Sequence, residues 1–294
     1  MLRTEPSSGT TAPRPPRETA APPSTRVSSH SNLRAVRVLW QREMTRLTRN
    51  PVRLAMGLLT PLLFLVVLGT GMSSSPGSAG DGMRQYRTFL YPGVLLMSVQ
   101  APAIAVGISI VWDRKSGLLR QMLVAPVRRG ALILGVCLGG AAAGTVYGAM
   151  VVALAWVADI PYEPRLLLVL PELALISLVF TSLAVLAAVA MKRIETFQVA
   201  VSLGMMPLLF TSGAMFPVGG LPGWLGFAVN VNPLTYAVDA IRRTLPGIGA
   251  EYGGRAAGPT WGGWSPPVAL ELGVIAAIAA LAVLGAARRF SRTE

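Results

Sequence analysis

Six apolar stretches recur along the chain, at residues 53–70, 89–112, 131–157, 166–191, 197–216 and 268–287. A bilayer core about 30 Å thick takes about 20 apolar residues of helix. The pattern therefore predicts an all-α integral membrane protein with six transmembrane helices. The third and fourth stretches run long, which predicts tilt or irregular ends. Only a tight turn carrying Lys192, Arg193 and Glu195 separates the fourth from the fifth. Six crossings bring both termini to one side.

The polar segments between these stretches differ in character. Residues 1–31 hold six prolines among Ser, Thr and Arg. Such a tail buries too little apolar area to offset its ordering entropy, so disorder is expected. No apolar run follows its charges closely enough for a signal peptide. Over residues 32–50, Leu33, Val36, Trp40, Met44 and Leu47 recur at helical spacing, with Arg34, Arg42, Arg46 and Arg49 on the flanks. That is a basic amphipathic helix suited to the membrane interface, either as a collar alone or as a contact for a cytoplasmic partner. Residues 113–126 form a second short amphipathic segment, with Leu118, Leu119, Met122 and Leu123 apolar and Pro126 as its stop. A helix that short needs a surface to pack on, either the membrane or the groove of a soluble protein. Residues 217–266 are a long loop containing Trp224, Tyr236, Tyr252, Trp261 and Trp264, residue types that favour the lipid–water boundary. Within it, Asn232-Pro233 is a helix-start signal, and Leu234, Val238, Ile241 and Leu245 make one apolar stripe. A re-entrant or surface-lying helical cap is expected there, with a solvated loop as the alternative.

Charge sets the orientation. Of 26 basic residues, 20 fall in residues 1–53, 113–130, 191–196 and 288–294, and six in the three intervening loops. Basic segments stay inside on insertion, so both termini are expected in the cytoplasm. Composition agrees with a membrane setting: 13% of residues are charged and 52% hydrophobic, against roughly 25% charged in soluble domains. The net charge of +13 is read as this topology signal plus attraction to anionic lipid, not as nucleic-acid binding. Only Lys115 and Lys192 among the basic residues are lysines, which suggests a high-GC genome. One cysteine, Cys137, excludes an intrachain disulfide, and one histidine, His30, in a polar tail, removes His-based catalysis and most zinc sites.

Inside the spans, Gly135 and Gly139 form a small-xxx-small pair, with Gly140, Gly144 and Gly148 on an adjoining stripe. Both permit close helix approach, within the chain or to a second copy. Pro61, Pro102 and Pro207 predict kinks or hinges. Glu172 and Glu271 are the two acids within the spans. Such carboxylates usually face protein or a wet cavity. Glu172 is either protonated or paired with a base such as Arg165, or it lines a path for an amphipathic cargo, cationic cargo included, with Glu271 as its companion.

Two segments resemble a known family. Residues 116–129, SGLLRQMLVAPVRR, look like the coupling-helix segment of ABC-2-type permeases, the membrane subunits of bacterial ABC exporters. The matching positions are Gly117, Leu119, Leu123 and Pro126, while Lys115 stands where members often carry an acid. Residues 212–242, SGAMFPVGGLPGWLGFAVNVNPLTYAVDAIR, are similar to the family's C-terminal signature. Their anchors are Ser212, Gly213, Phe216, Pro217, Leu221, Pro222, Asn232, Pro233, Leu234, Thr235 and Tyr236. The daunorubicin/doxorubicin exporter branch is the nearest resemblance, and it covers residues 32–290, leaving 291–294 as a short cytoplasmic end. It implies a coupling helix at 113–126 seated in an ATPase subunit, an extracellular cap at 217–266, and a multi-pass place in the bacterial cell membrane. It also implies a second copy of the chain or a paralogous permease, two ATPase copies, and export of an amphipathic drug-like or lipid-like molecule, as in multidrug or antibiotic resistance.

The energy source is expected to lie outside the chain. A P-loop needs Gly directly before its Lys, whereas Lys115 follows Arg114 and Lys192 follows Met191. No cofactor is expected on this chain, with ATP and Mg held by the partner ATPase. An ion-coupled secondary transporter is the alternative, although the spans offer it only Glu172 and Glu271. A membrane-embedded enzyme is the third reading. One histidine excludes HExxH and Ser–His sites, and the spans contain no Asp for an aspartyl dyad.

Overall fold

A computed structural model describes residues 29–71, 81–117, 128–216, 221–246, 258–261 and 264–292. Nine α-helices are found among them: α1 (Ser29–Thr48), α2 (Pro51–Gly71), α3 (Asp81–Lys115), α4 (Arg129–Val152), α5 (Val169–Ala190), α6 (Ile194–Phe210), α7 (Gly223–Val231), α8 (Pro233–Thr244) and α9 (Val268–Arg292). The described residues contain no strand, only an isolated bridge between Trp261 and Trp264. The expected tail at 1–31 lies outside the described residues as far as 28, and α1 starts three residues earlier than expected. Most of the expected coupling helix, residues 118–126 with Leu119, Leu123 and Pro126, also lies outside them, as do Pro217, residues 247–257 of the cap and residues 293–294.

Among the described residues, five helices are long and apolar enough to cross a membrane: α2, α3, α4, α5 with its preceding turn, and α9. The fifth expected span is shorter than the apolar run suggests. Its helix, α6, has 17 residues, about 25 Å at 1.5 Å per residue. Residues 211–216 are turns because the chain reverses there: Gly213 takes φ +73, Thr211 Oγ1 donates to the Pro207 carbonyl at 2.8 Å, and Ser212 Oγ donates to the Leu209 carbonyl at 2.6 Å. The third and fourth expected spans likewise meet through short 3-10 turns, Ala155–Ala158 and Pro164–Leu168, instead of continuous α-helix. Asp159, at φ 57, closes the first of these turns.

The core lies between α3, α4 and α5, where Phe89, Tyr91, Leu95, Leu96, Leu173, Ile176 and Phe180 are buried. In lipid there is little hydrophobic force between helices, so close packing and hydrogen bonds hold them. The α4 glycines provide that packing. A Cβ on Gly144 would strike Ser177, one on Gly140 would strike Thr181, and one on Gly148 would lie 2.9 Å from Leu173, so this stripe seats α5. Gly135 and Gly139 seat α1, with Val36 Cα 3.0 Å and Trp40 Cα 3.4 Å from where each Cβ would be. Both glycine stripes thus serve neighbours within the chain. Tyr91 donates its hydroxyl to the Val151 carbonyl at 2.8 Å, satisfying an acceptor at the end of α4. Pro61, Pro102 and Pro207 sit inside α2, α3 and α6, with Pro92 a further one in α3.

The contact with α4 changes the reading of α1. Its buried face is centred on Leu39 and Glu43, each 6% exposed, while Leu33 and Trp40 of the expected apolar stripe are turned outward. The helix is a packed element of the bundle as well as a candidate for the interface.

Candidate functional site

Two places gather the residues that the sequence singles out. The first is the end of the bundle where α3 stops and α4 starts. Gly117, with φ +73, ends α3 in the left-handed conformation, a geometry that glycine adopts without a Cβ penalty. The Ser116 amide donates to the Trp112 carbonyl at 2.9 Å just before it. Both described stems of the loop are fixed to other helices. Arg42 of α1 reaches Asp113 at 3.2 Å. Arg114 donates to the Val189 carbonyl at 3.3 and 3.4 Å and to the Met191 carbonyl at 3.2 Å, satisfying acceptors at the end of α5. Where the chain re-enters, the Arg128 amide donates to Asn32 Oδ1 at 3.0 Å. The base of this loop, whose chain continues into α4, is thereby joined to α1 and α5. Arg42, Asn32 and Arg114 carry no motif and were legible in sequence only as charges or a helix cap.

The second place is the two-helix segment between α6 and α9. Asn232 caps α8: its Oδ1 accepts from the Leu234 amide at 2.9 Å and Pro233 occupies the first helical position, as the Asn-Pro pair predicts. Its Nδ2 donates to the Leu208 carbonyl at 2.6 Å and to Thr211 Oγ1 at 2.9 Å, so the same side chain ties α8 to the end of α6. Thr235 donates to the Val229 carbonyl, and Tyr236 to the Asn230 carbonyl, each at 2.7 Å, folding α7 back on α8. Trp261 Nε1 donates to the Tyr236 hydroxyl at 3.0 Å. Leu234, Val238, Ile241 and Leu245 are all buried, whereas Trp224 and Phe227 of α7 are exposed. One helix of the segment is therefore inserted among the spans and the other presents an apolar face outward. Of the resembling residues, Ser212, Gly213, Asn232, Pro233 and Tyr236 meet in this reversal, while Phe216 and Pro222 flank it.

Beneath α8 lies a polar cluster that the sequence reading did not assemble. Glu172 Oε1 accepts from Thr244 Oγ1 at 2.6 Å, a partner not among those the sequence offered it. Arg243 pairs with Asp239 at 2.5 Å and with Glu271 at 3.6 Å, and donates to the Pro266 carbonyl at 2.8 Å. Arg242 is buried: it donates to the Gly213 carbonyl at 3.0 Å, and its guanidinium lies 4.5 Å from the centre of the Phe89 ring. Glu172 and Glu271 each stand in the first turn of their spans. Free backbone N–H groups and the positive end of the helix dipole favour a carboxylate there. Among the described residues no group of three or more His, Cys, Asp or Glu could hold a metal.

Comparison with known proteins fits this architecture. The chain is 29% identical over 223 residues to the ycf38 protein of Cyanophora paradoxa, named there as a transport permease, covering 74% of this chain and 77% of that one. It is 30% identical over 189 residues to nodulation protein J of Rhizobium leguminosarum bv. trifolii, covering 64% and 71%. It is 27% identical over 218 residues to the inner membrane transport permease YadH of Escherichia coli (strain K12), covering 73% and 84%. The family model described as ABC-2 type transporter matches residues 34–245, from within α1 to just past the end of α8. With that match spanning well over half of the sequence, and with several helices able to cross a bilayer, the chain belongs to the ABC-2 type transporter family and is a multi-pass membrane transport permease.

Proposed function

We propose that this permease is the membrane half of an exporter driven by a separate ATPase subunit, moving an amphipathic drug-like or lipid-like molecule out of a bacterial cell. The observation that carries the reading is the loop at 113–130. Its described stems are bonded to α1 and α5 and its chain runs on into α4, so a push on the loop reaches two further helices through side-chain bonds. The 294 residues contain no P-loop of their own, which agrees with hydrolysis in a partner. In this reading Gly117, Leu119, Leu123 and Pro126 meet the ATPase, which holds ATP and Mg. Two copies of the permease, or one with a paralogue, and two ATPases form the assembly. The short α6 completes six crossings, the termini are cytoplasmic, and the α7–α8 segment caps the outer leaflet. Glu172 and Glu271 border the outer end of the path and hold the cap through Thr244 and Arg243. The resemblance of residues 212–242 to the daunorubicin/doxorubicin branch supports a drug-like cargo.

The test is transport in inside-out vesicles containing the permease with the ATPase encoded beside it. Uptake that requires ATP and the ATPase and survives an uncoupler is expected. Uptake by the permease alone, or its collapse with the proton gradient, would overturn the reading in favour of an ion-coupled carrier.

A further inference from the structure

Where α1 turns into α2, a cleft of about 540 Å³ opens between α1, α2, α3 and α4. Its polar end carries Arg46, Arg53, Asn50 and Glu43, and its inner wall includes Met56, Ile104 and Ile108. Trp112 stands at its rim, largely exposed, in keeping with a side chain of the lipid–water boundary. The cleft is held open by a firm contact. Tyr147 packs against Gly57, where any Cβ would strike its ring, and donates its hydroxyl to the Arg53 carbonyl at 3.3 Å.

Charge at the polar end is unbalanced. Arg42 engages both nearby acids, Glu43 and Asp113, each at 3.2 Å. Arg46 and Arg49 line the adjoining hollow with Arg42 and Asp113. Among the described residues no acid pairs with Arg46, Arg49 or Arg53, so four guanidinium groups face two carboxylates. The apolar end does not stop at the cleft. A second groove of about 390 Å³ runs on between α2, α3 and α6 and shares Met56, Gly57, Ala101 and Ile104 with the first. The flank is left uncovered by the rest of the chain, since only 11% of the apolar stretch of α2 is buried within the protein.

Cationic forks at one end and a long greasy channel at the other suit one kind of molecule. Guanidinium groups bind phosphate in paired, charge-assisted hydrogen bonds, and an acyl chain needs an extended apolar trough. We propose that this cleft is a binding site for an anionic phospholipid, whose phosphate lies between Arg46 and Arg53 and whose chain runs along Met56 and Ile104 toward α6. The lipid enters sideways past α2. The site does not depend on the transport reading, because binding is measured without nucleotide or ATPase.

The experiment compares lipid binding to the purified full-length protein by native mass spectrometry, with phosphatidylglycerol and phosphatidylcholine as probes. Arg46→Gln/Arg53→Gln is set against Arg34→Gln/Arg37→Gln, which removes the same charge from exposed positions of α1 outside the cleft. The first pair is expected to weaken phosphatidylglycerol binding by about tenfold or more, and the second to leave it near the wild-type level. Equal loss in both pairs, no loss in the first, or equal binding of the two lipids would overturn the proposal. So would displacement by free glycerol phosphate at the same concentration as the lipid, because the apolar channel would then contribute nothing. Should the first pair fail to fold, a photoactivatable phosphatidylglycerol on wild-type protein decides: label within residues 42–57 and 101–112 supports the site, and label elsewhere, including a partner-facing surface, removes it.

Discussion

Thr244 donates its hydroxyl to Glu172 at 2.6 Å, while the preceding residue, Arg243, reaches Glu271 at 3.6 Å. Two consecutive positions of α8 thus engage the two acids that the sequence places inside spans, one on α5 and one on α9. A carboxyl group buried without a partner is costly in a low-dielectric setting. The inserted helix is therefore as necessary to these acids as they are to its position.

Thr244→Val should expose that dependence. Removing the donor leaves Glu172 Oε1 buried and unsatisfied, a loss of about 1–3 kcal/mol, seen as a lower melting temperature of the detergent-solubilised protein. Adding Glu172→Met should recover most of the loss, because replacing both partners by apolar groups is close to neutral. Strictly additive losses in this double-mutant cycle would remove the coupling.

Gly135→Ala tests the seat of α1. The new Cβ meets the Val36 Cα at 3.0 Å, and backbone yields less readily than the tip of a side chain. Overpacking of this kind costs about 1–3 kcal/mol. Proteolysis should then cut earlier around residues 29–50 than in the wild type. Gly204→Ala, with nothing within 4 Å of its Cβ, is the matched control and should be silent.

Asn232 offers a separation of roles. Asp is as good a helix cap as Asn, but it cannot donate to the Leu208 carbonyl or to Thr211 Oγ1. Asn232→Asp is expected to destabilise the protein at least as much as Asn232→Ala, because it sets a buried carboxylate oxygen against the Leu208 carbonyl, a cost that outweighs the cap bond it keeps. If Asp behaved like the wild type in a melting experiment, capping alone would be the function of this residue.

Orientation is read most directly by labelling. In a Cys137→Ala background, Ser116→Cys should react with a membrane-impermeant maleimide only from the cytoplasmic face and Gly223→Cys only from the outer face. Reaction of both from the same side would reverse the assignment drawn from the basic residues.

The sequence carried the helical class, the position of most spans and the start of α8, because each rests on local signals: apolar run length, or an Asn-Pro pair whose cap bond forms within two residues. It misplaced the end of α6, since an apolar run does not reveal a reversal driven by Gly213 and Ser212. The outward turn of Leu33 and Trp40 was equally hidden, because the buried face of α1 is chosen by two glycines almost a hundred residues away. The cluster of Asp239, Arg242, Arg243 and Thr244 was invisible for the same reason. Its members read singly as loop charges, and only the insertion of α8 between spans gives them partners.

The grip of Arg114 on the carbonyls of Val189 and Met191, together with that of Asn32 on the Arg128 amide, removes slack from the base of the 113–130 loop. Under the proposed coupling, a displacement of small amplitude at this root reaches the helix ends it is bonded to before it can dissipate as local bending.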